Sequence, residues 1–176
     1  DLKQYIGIFA SRFYGDPSLS LKTICITGTN GKTTAVETFS GLSNLLGSRC
    51  AYMSTVNFSM DGLSLEKASL TTPDAISIHR NMKNAIHNDA KYLAMEASSH
   101  GLEQHRLNGI DIDYAVLTSF SHDHLDYHGD INHYKSAKEK LFFDLHPKSN
   151  IICIDSSFGR KLYEDLLKIN PNTYSV

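Results

Sequence analysis

The chain has 176 residues, 41% of them hydrophobic, which is enough to bury the core of one domain. Seventeen Lys and Arg stand against 19 Asp and Glu, a net charge of −2, which excludes a bulk-basic nucleic-acid binder and a polyacidic disordered tail. No run approaches the roughly 18 apolar residues that a membrane span needs, and the N-terminus lacks the basic-then-apolar order of a secretory signal. The sequence starts at Asp1 rather than Met, so it is expected to be a piece of a longer chain or a trimmed one. Cys25, Cys50 and Cys153 are odd in number and have no metal-type spacing. They read as core thiols of a reducing compartment.

In chain order, residues 1–20 read as a lead-in helix and connector, and residues 21–176 as one domain. Residues 22–27 (KTICIT) form a buried strand. Over residues 33–46, Val36, Phe39, Leu42, Leu45 and Leu46 recur at helical spacing, and Gly47 is a natural stop. Residues 51–55 are a second strand. Residues 57–60 and 63–69 flank Asp61-Gly62, a hairpin dipeptide. Thr72-Pro73-Asp74 opens a helix, with Thr72 as cap, Pro73 first and Asp74 in the first turn. Ala75, Ile76, His79, Met82 and Ile86 continue it. Residues 91–96 (KYLAME) and 114–119 (YAVLTS) are strands. Asn132 caps a helix that runs to about Asp144. Residues 150–155 are a strand, followed by a helix to about Ile169. Strands alternating with helices predict an α/β domain: a mostly parallel, doubly wound sheet of phosphate-loop type with a small β-hairpin insertion. Ligands of such sheets bind at the C-terminal ends of the strands.

Four segments carry chemistry. The first strand runs straight into Gly28-Thr29-Asn30-Gly31-Lys32-Thr33-Thr34 and then a helix, the context a phosphate-binding loop requires. Glycines let backbone N–H groups turn inward, and the helix N-terminus adds partial positive charge. Lys32 supplies a full charge for the β- and γ-phosphates, and the Thr33 hydroxyl is a hard ligand for Mg²⁺. The loop departs from the usual pattern: Ile26 stands five positions before Gly31, so the turn opens at Gly28 and is shorter. Second, Glu96 ends an apolar strand, and it falls beside the loop if the two strands are neighbours. Third, six of the nine histidines lie between His100 and His133. His122, His124, Asp126 and His128 nearly match a dinuclear-metal hydrolase pattern, with Tyr127 where a histidine should stand. Fourth, residues 134–142 (YKSAKEKLF) place Tyr134, Ala137, Lys138, Leu141 and Phe142 on one helical stripe, with Lys135 and Glu139 beside it. A lysine on such a helix is ordinarily solvated. Lys138 falls on the apolar side, so it is expected to reach a site between Glu96 and His124.

Together GTNGKTT, TTPD, MEASSHGLEQHR, SHDHLDYHGD and HYKSAKEKLF, in this order, resemble the Mur ligases, most nearly the MurE type. The resemblance runs from RFYGDPS to the strand at Ile151. It implies the central ATP-binding domain of a three-domain enzyme, incomplete at its C-terminal end and without the UDP-binding and C-terminal domains. The implied reaction is ATP-dependent addition of an amino acid to UDP-N-acetylmuramoyl-dipeptide through an acyl phosphate. That is a step of cytoplasmic peptidoglycan-precursor synthesis in bacteria, hence of cell-wall biogenesis, cell shape and division. By the resemblance Gly28–Thr34 hold the ATP phosphates. Thr33 and Glu96 bind a first Mg²⁺, and His124 and a carbamylated Lys138 bind a second. Lys32, Lys138 and His124 are catalytic, and Thr71, Thr72, Ser98, Gln104 and Arg106 hold the UDP-sugar peptide. A carbamate turns the ammonium into a carboxylate-like oxygen ligand suited to a hard cation. Two alternatives stand beside this reading. One is a folylpolyglutamate-synthase-like ligase, although that family has Gly-Ser where Thr33-Thr34 stand. The other is a metal-dependent hydrolase built on the His122/His124/Asp126/His128 cluster.

Overall fold

The computed structural model describes residues 2–60, 63–67, 70–121 and 125–176. It contains an eight-stranded sheet in the order β4-β3-β2-β5-β1-β6-β7-β8. The strands are β1 (Lys22–Thr27), β2 (Cys50–Met53), β3 (Asn57–Met60), β4 (Leu63–Lys67), β5 (Tyr92–Glu96), β6 (Tyr114–Leu117), β7 (Ser149–Ile152) and β8 (Thr173–Ser175). The helices are α1 (Lys3–Phe13), α2 (Lys32–Leu45), α3 (Ala75–His87), α4 (Ser99–Glu103), α5 (Leu125–His128), α6 (Ile131–Phe143) and α7 (Ser157–Leu167). Strands β2, β5, β1, β6, β7 and β8 pair in parallel. At the edge beyond β2, the β2–β3 and β3–β4 pairings are antiparallel. The predicted hairpin is therefore a continuation of the sheet rather than an appendage. Its Asp61-Gly62 turn lies outside the described residues.

The two faces of the sheet are covered unequally. On β1, Ile24 and Ile26 point to one side, where they pack with Val36 of α2, Cys50 and Ala94. Cys25 points to the other, larger core, which gathers Ile78 and Met82 of α3, Leu141 and Phe142 of α6, and Phe158, Leu162 and Leu166 of α7. A strand buried on both faces reads as a continuous apolar run, which is why KTICIT was legible as a buried strand. Burial pushes the Cys50 thiol up to about 11 and holds Cys25 protonated as well, so both behave as core residues.

The structure corrects several boundaries. In α2 the face on the sheet is Val36, Ser40 and Ser43, with the Ser40 hydroxyl donating to Cys50 O at 3.0 Å. Leu42, Leu45 and Leu46, expected on the apolar stripe, are 56%, 84% and 84% exposed. Small hydroxyl residues let α2 approach the strands closely, and the leucines are left on its outer side. Helix α3 is capped by Asp74, whose carboxylate accepts from Ser77 N, so Thr72 and Pro73 lie before the helix. Helix α6 is capped by Asp130, which accepts from both Asn132 N and His133 N, so Asn132 is already helical. In each case a carboxylate takes the capping role from the residue expected to hold it. Strand β8 and the short helix α5 were not foreseen; both have four residues or fewer, too short for periodicity to register.

At the opposite end of the sheet from the strand C-termini, Asp113 is 4% exposed. Burial alone would raise its carboxyl pKa. Donation from Lys22 and the Thr23 N–H, with Lys148 beside it, outweighs burial and holds the pKa below the usual carboxylate range. A depressed folded-state pKa contributes stability that is fully present above the unfolded value near 4. That stability is lost as pH falls through the folded value. Asp113→Asn should therefore lower stability at pH 7 by about 1–2 kcal/mol, since Lys22 and Lys148 are half exposed. It should also flatten the acid limb below about pH 4. Urea midpoints of the two proteins across pH 2–7 check this; parallel curves would refute it.

Candidate functional site

Strand β1 delivers the chain into a loop shaped by two glycines. Gly28 has φ +153° and Gly31, the residue before α2, has φ +83°. A Cβ on Gly28 would overlap Thr118 Oγ1 and lie 3.0 Å from Ser119 N. The loop is braced from β6: Thr29 N donates to Ser119 O at 3.0 Å, Asn30 N to Ser119 Oγ at 2.9 Å, and Thr118 Oγ1 to Asn30 O at 2.7 Å. Thr118 and Ser119 were read as strand rather than as site, and nothing in their spacing marks them as braces. The first residue of α2, Lys32, curls back so that Nζ donates to Gly28 O and Thr29 O, both at 3.0 Å. The first-turn N–H groups of α2 and this ammonium thus share one cleft, the arrangement that receives an anion.

The parallel register sets Ile26 opposite Glu96, so the carboxylate at the end of β5 stands beside the loop at the end of β1. Glu96 is 1% exposed. Its Oε1 accepts from Thr33 Oγ1 at 2.8 Å and from Thr55 N at 2.9 Å, and Thr55 Oγ1 reaches both carboxylate oxygens at 3.2–3.3 Å. The donor set is hydroxyl and carboxylate oxygen throughout. It fits a hard divalent cation better than a soft one, and a cation there would bring the charge that these neutral donors do not. Thr55 was not foreseen, because it lies in the turn after β2 and comes to Glu96 through the sheet pairing.

Helix α6 supplies the other wall. Its buried face is Tyr134, Ala137, Lys138, Leu141 and Phe142, the five positions the spacing picks out. Lys138 is 1% exposed, and its Nζ donates to Gly28 O at 2.9 Å. It lines the same cleft of about 430 Å³ as Glu96, Lys32 and Thr33. His124, expected on its other side, lies outside the described residues, as does His122.

Of the residues assigned to the peptide substrate by resemblance, Thr71, Ser98 and Arg106 line the cleft. Thr72 is fully buried: its hydroxyl donates to Glu96 O at 2.8 Å, accepts from Ser98 N at 2.9 Å and lies 2.9 Å from Ser98 Oγ. It fixes the backbone around the carboxylate from below. Ser98 caps α4 by accepting from Gly101 N. Arg106 donates through Nη1 to Thr72 O at 2.6 Å, and through Nε and Nη2 to Gln104 Oε1 at 3.1 and 2.6 Å. Gln104 in turn donates to Tyr127 Oη at 3.2 Å. The guanidinium is thus fixed at the cleft edge with its Nε/Nη2 fork on Gln104, and an incoming carboxylate or phosphate would have to share it with Gln104 or take its place.

His128 departs from the hydrolase alternative. It is 5% exposed, with Nε2 2.9 Å from Ser99 Oγ and Nδ1 3.4 Å from Glu103 Oε2. Its ring packs between His100, Tyr127 and Tyr134. Among the described residues, no three His, Cys, Asp or Glu side chains are grouped to hold a metal.

A parallel sheet, a glycine loop opening a helix at the central strand, and a buried carboxylate on the neighbouring strand define a phosphate-loop nucleotide-binding domain. Residues 26–176 match the Mur ligase middle domain, and the chain belongs to the Mur ligase family. It is 40% identical over 159 residues to the UDP-N-acetylmuramoyl-L-alanyl-D-glutamate–2,6-diaminopimelate ligase of Pseudomonas putida, covering 90% of this chain and 32% of that protein. A solved structure of a ligase of that name superposes with a TM-score of 0.85 at 34% identity, over 99% of this chain and 36% of the other. Folylpolyglutamate synthase of Mycobacterium tuberculosis, complexed with ADP, superposes at 0.78 over all of this chain and 46% of that one; at 16% identity it shares the fold. The chain spans about a third of the length of the curated relatives it matches.

Proposed function

We propose that this chain is the ATP-binding middle part of a bacterial, cytoplasmic ligase that adds an amino acid to UDP-N-acetylmuramoyl-dipeptide. Residues 1–20 would serve as its lead-in and 21–176 as its central domain. The observation that carries this reading is the 2.8 Å contact between Thr33 Oγ1 and Glu96 Oε1. It joins the hydroxyl that follows the loop lysine to a buried carboxylate on the neighbouring strand, which is what a nucleotide–Mg²⁺ site needs. The 40% identity to a diaminopimelate-adding relative supports the substrate class.

In this reading Gly28–Thr34 cradle the ATP phosphates and Lys32 neutralises charge on the β- and γ-phosphates. Thr33 and Glu96 hold one Mg²⁺, and His124 with Lys138 as its carbamate holds a second. The metal ions supply charge neutralisation along the triphosphate when bound. The chain's own residues position the reactants: Arg106, Ser98 and Thr71 hold the peptide end of the UDP-sugar substrate at the cleft, with Gln104 fixing the guanidinium and Thr72 the strand end. A substrate carboxylate held there attacks the γ-phosphoryl group and yields an acyl phosphate and ADP. The amine of the incoming amino acid then displaces phosphate and forms the amide. Positioning and electrostatics carry most of the rate in such transfers.

Isothermal titration with a non-hydrolysable ATP analogue and Mg²⁺ tests the reading, and should give saturable, Mg²⁺-dependent binding to the 176-residue chain. The same chain should not join an amino acid to UDP-N-acetylmuramoyl-dipeptide by itself, since it spans 32% of its relative. Tight Zn²⁺ binding without any response to nucleotide would instead favour the hydrolase.

A further inference from the structure

Tyr134 is fully buried one helical turn before Lys138, and its two ends do different things. The hydroxyl lies 3.2 Å from Thr29 Oγ1 in the phosphate loop. Thr29 Oγ1 also donates to Ser121 O at 3.2 Å and accepts from Ser121 N at 3.0 Å. A threonine hydroxyl has one proton and two lone pairs. Where that proton lies on Ser121 O the phenol donates to Thr29, and where it lies on the phenol the phenol accepts; the two side chains are hydrogen-bonded in either case. The ring lies 4.5 Å from Lys138 Nζ, within cation–π range, while that ammonium donates to Gly28 O at 2.9 Å. Phe120 and His128 pack on the same ring, at 5.4 and 5.3 Å between centroids. One side chain therefore touches the loop at Thr29 and reaches Gly28 through Lys138, and Thr29 joins it to the chain leaving β6.

We propose that Tyr134 is a positioning residue of the nucleotide site. Its hydroxyl sets the path of the phosphate loop at Thr29, and its ring face positions the Lys138 side chain under Gly28, where the chain without nucleotide carries it as an ammonium. The i, i+4 spacing on α6 makes the two settings one rigid unit, because both residues project from successive turns of the same buried face. The proposal rests on the nucleotide-site reading for its ligand. The clamp itself is a property of the chain without ligand.

Two variants separate the two ends. Tyr134→Phe keeps the ring and removes the hydroxyl. It should raise the dissociation constant for the Mg²⁺-bound ATP analogue about three- to tenfold, the worth of one buried hydrogen bond. It should also displace the Thr29 and Ser121 amide resonances in ¹H–¹⁵N spectra and leave the Lys138 side-chain protons shifted upfield by the ring. Tyr134→Leu removes the ring, and should return those Lys138 protons to ordinary positions. A residue with a merely structural role would lower the thermal midpoint and leave both the affinity of the folded protein and the Thr29 resonance in place. The proposal is overturned if Tyr134→Phe binds nucleotide as tightly as the parent with its Thr29 and Ser121 amides unmoved. If the parent chain binds no nucleotide, the ligase reading fails, and the Thr29 and Lys138 resonances decide the clamp separately.

Discussion

Gly28→Ala should abolish nucleotide binding and destabilise the domain by about 2–4 kcal/mol. The residue has φ +153°, a conformation that costs a side chain dearly, and there is no space for a Cβ. The new methyl would overlap Thr118 Oγ1 and press on Ser119 N at 3.0 Å. Thr118 is not free to turn away, because its hydroxyl lies 2.7 Å from Asn30 O and 3.1 Å from Thr27 O, and its single proton serves one of these two carbonyls. Relief must come from the loop moving off β6. That breaks the Thr29 and Asn30 N–H bonds to Ser119 and moves the Gly28 carbonyl that Lys32 and Lys138 share. Calorimetric titration with the ATP analogue, together with urea unfolding, reads both effects. Near-parental affinity would mean that the loop geometry at Gly28 is not what receives the phosphates.

Much of this architecture was legible because its signals are local. A continuous apolar run, a glycine loop and a helix are adjacent in sequence, and the strand–helix alternation follows from periodicity. From the sequence the carboxylate falls beside the loop only if the two strands are neighbours, and the parallel pairing that sets Ile26 opposite Glu96 meets that condition. Lys138 was visible as an anomaly, a charge on an apolar stripe. What escaped is what the sheet assembles from afar. Thr55 reaches Glu96 across 41 positions, and Ser119 reaches Asn30 across 89. No spacing rule covers such pairs. The α2 stripe misled for a different reason. Leucines at helical spacing mark a face, but Ser40 and Ser43 fit closer to the sheet, and close approach decided which face turned inward. The hydroxyls of Thr71 and Thr72 are adjacent in sequence yet have different roles. One lines the cleft and the other is spent beneath the Glu96 backbone, a distinction that only packing makes.

Lys32→Ala should leave the fold nearly untouched and cost binding heavily. In the structure Gly28 O accepts from Lys32 at 3.0 Å and from Lys138 at 2.9 Å, so removing one ammonium leaves that carbonyl satisfied. Thr29 O loses a donor in a part-buried place that water can reach, and stability should fall by no more than about 1 kcal/mol. Binding is different. A triphosphate entering the cleft would gain a charge-assisted bond from the Lys32 ammonium that no neutral side chain can replace. Losing Lys32 should therefore weaken binding of the Mg²⁺-bound analogue by about 1.5–3 kcal/mol, tenfold to more than a hundredfold. The loss should shrink as salt rises, because a screened charge contributes less. Titrations of parent and variant at two ionic strengths, with thermal midpoints taken alongside, make the comparison. Equal affinities beside equal midpoints would remove Lys32 from the site, and a large drop in midpoint would show that its role is to hold the loop together.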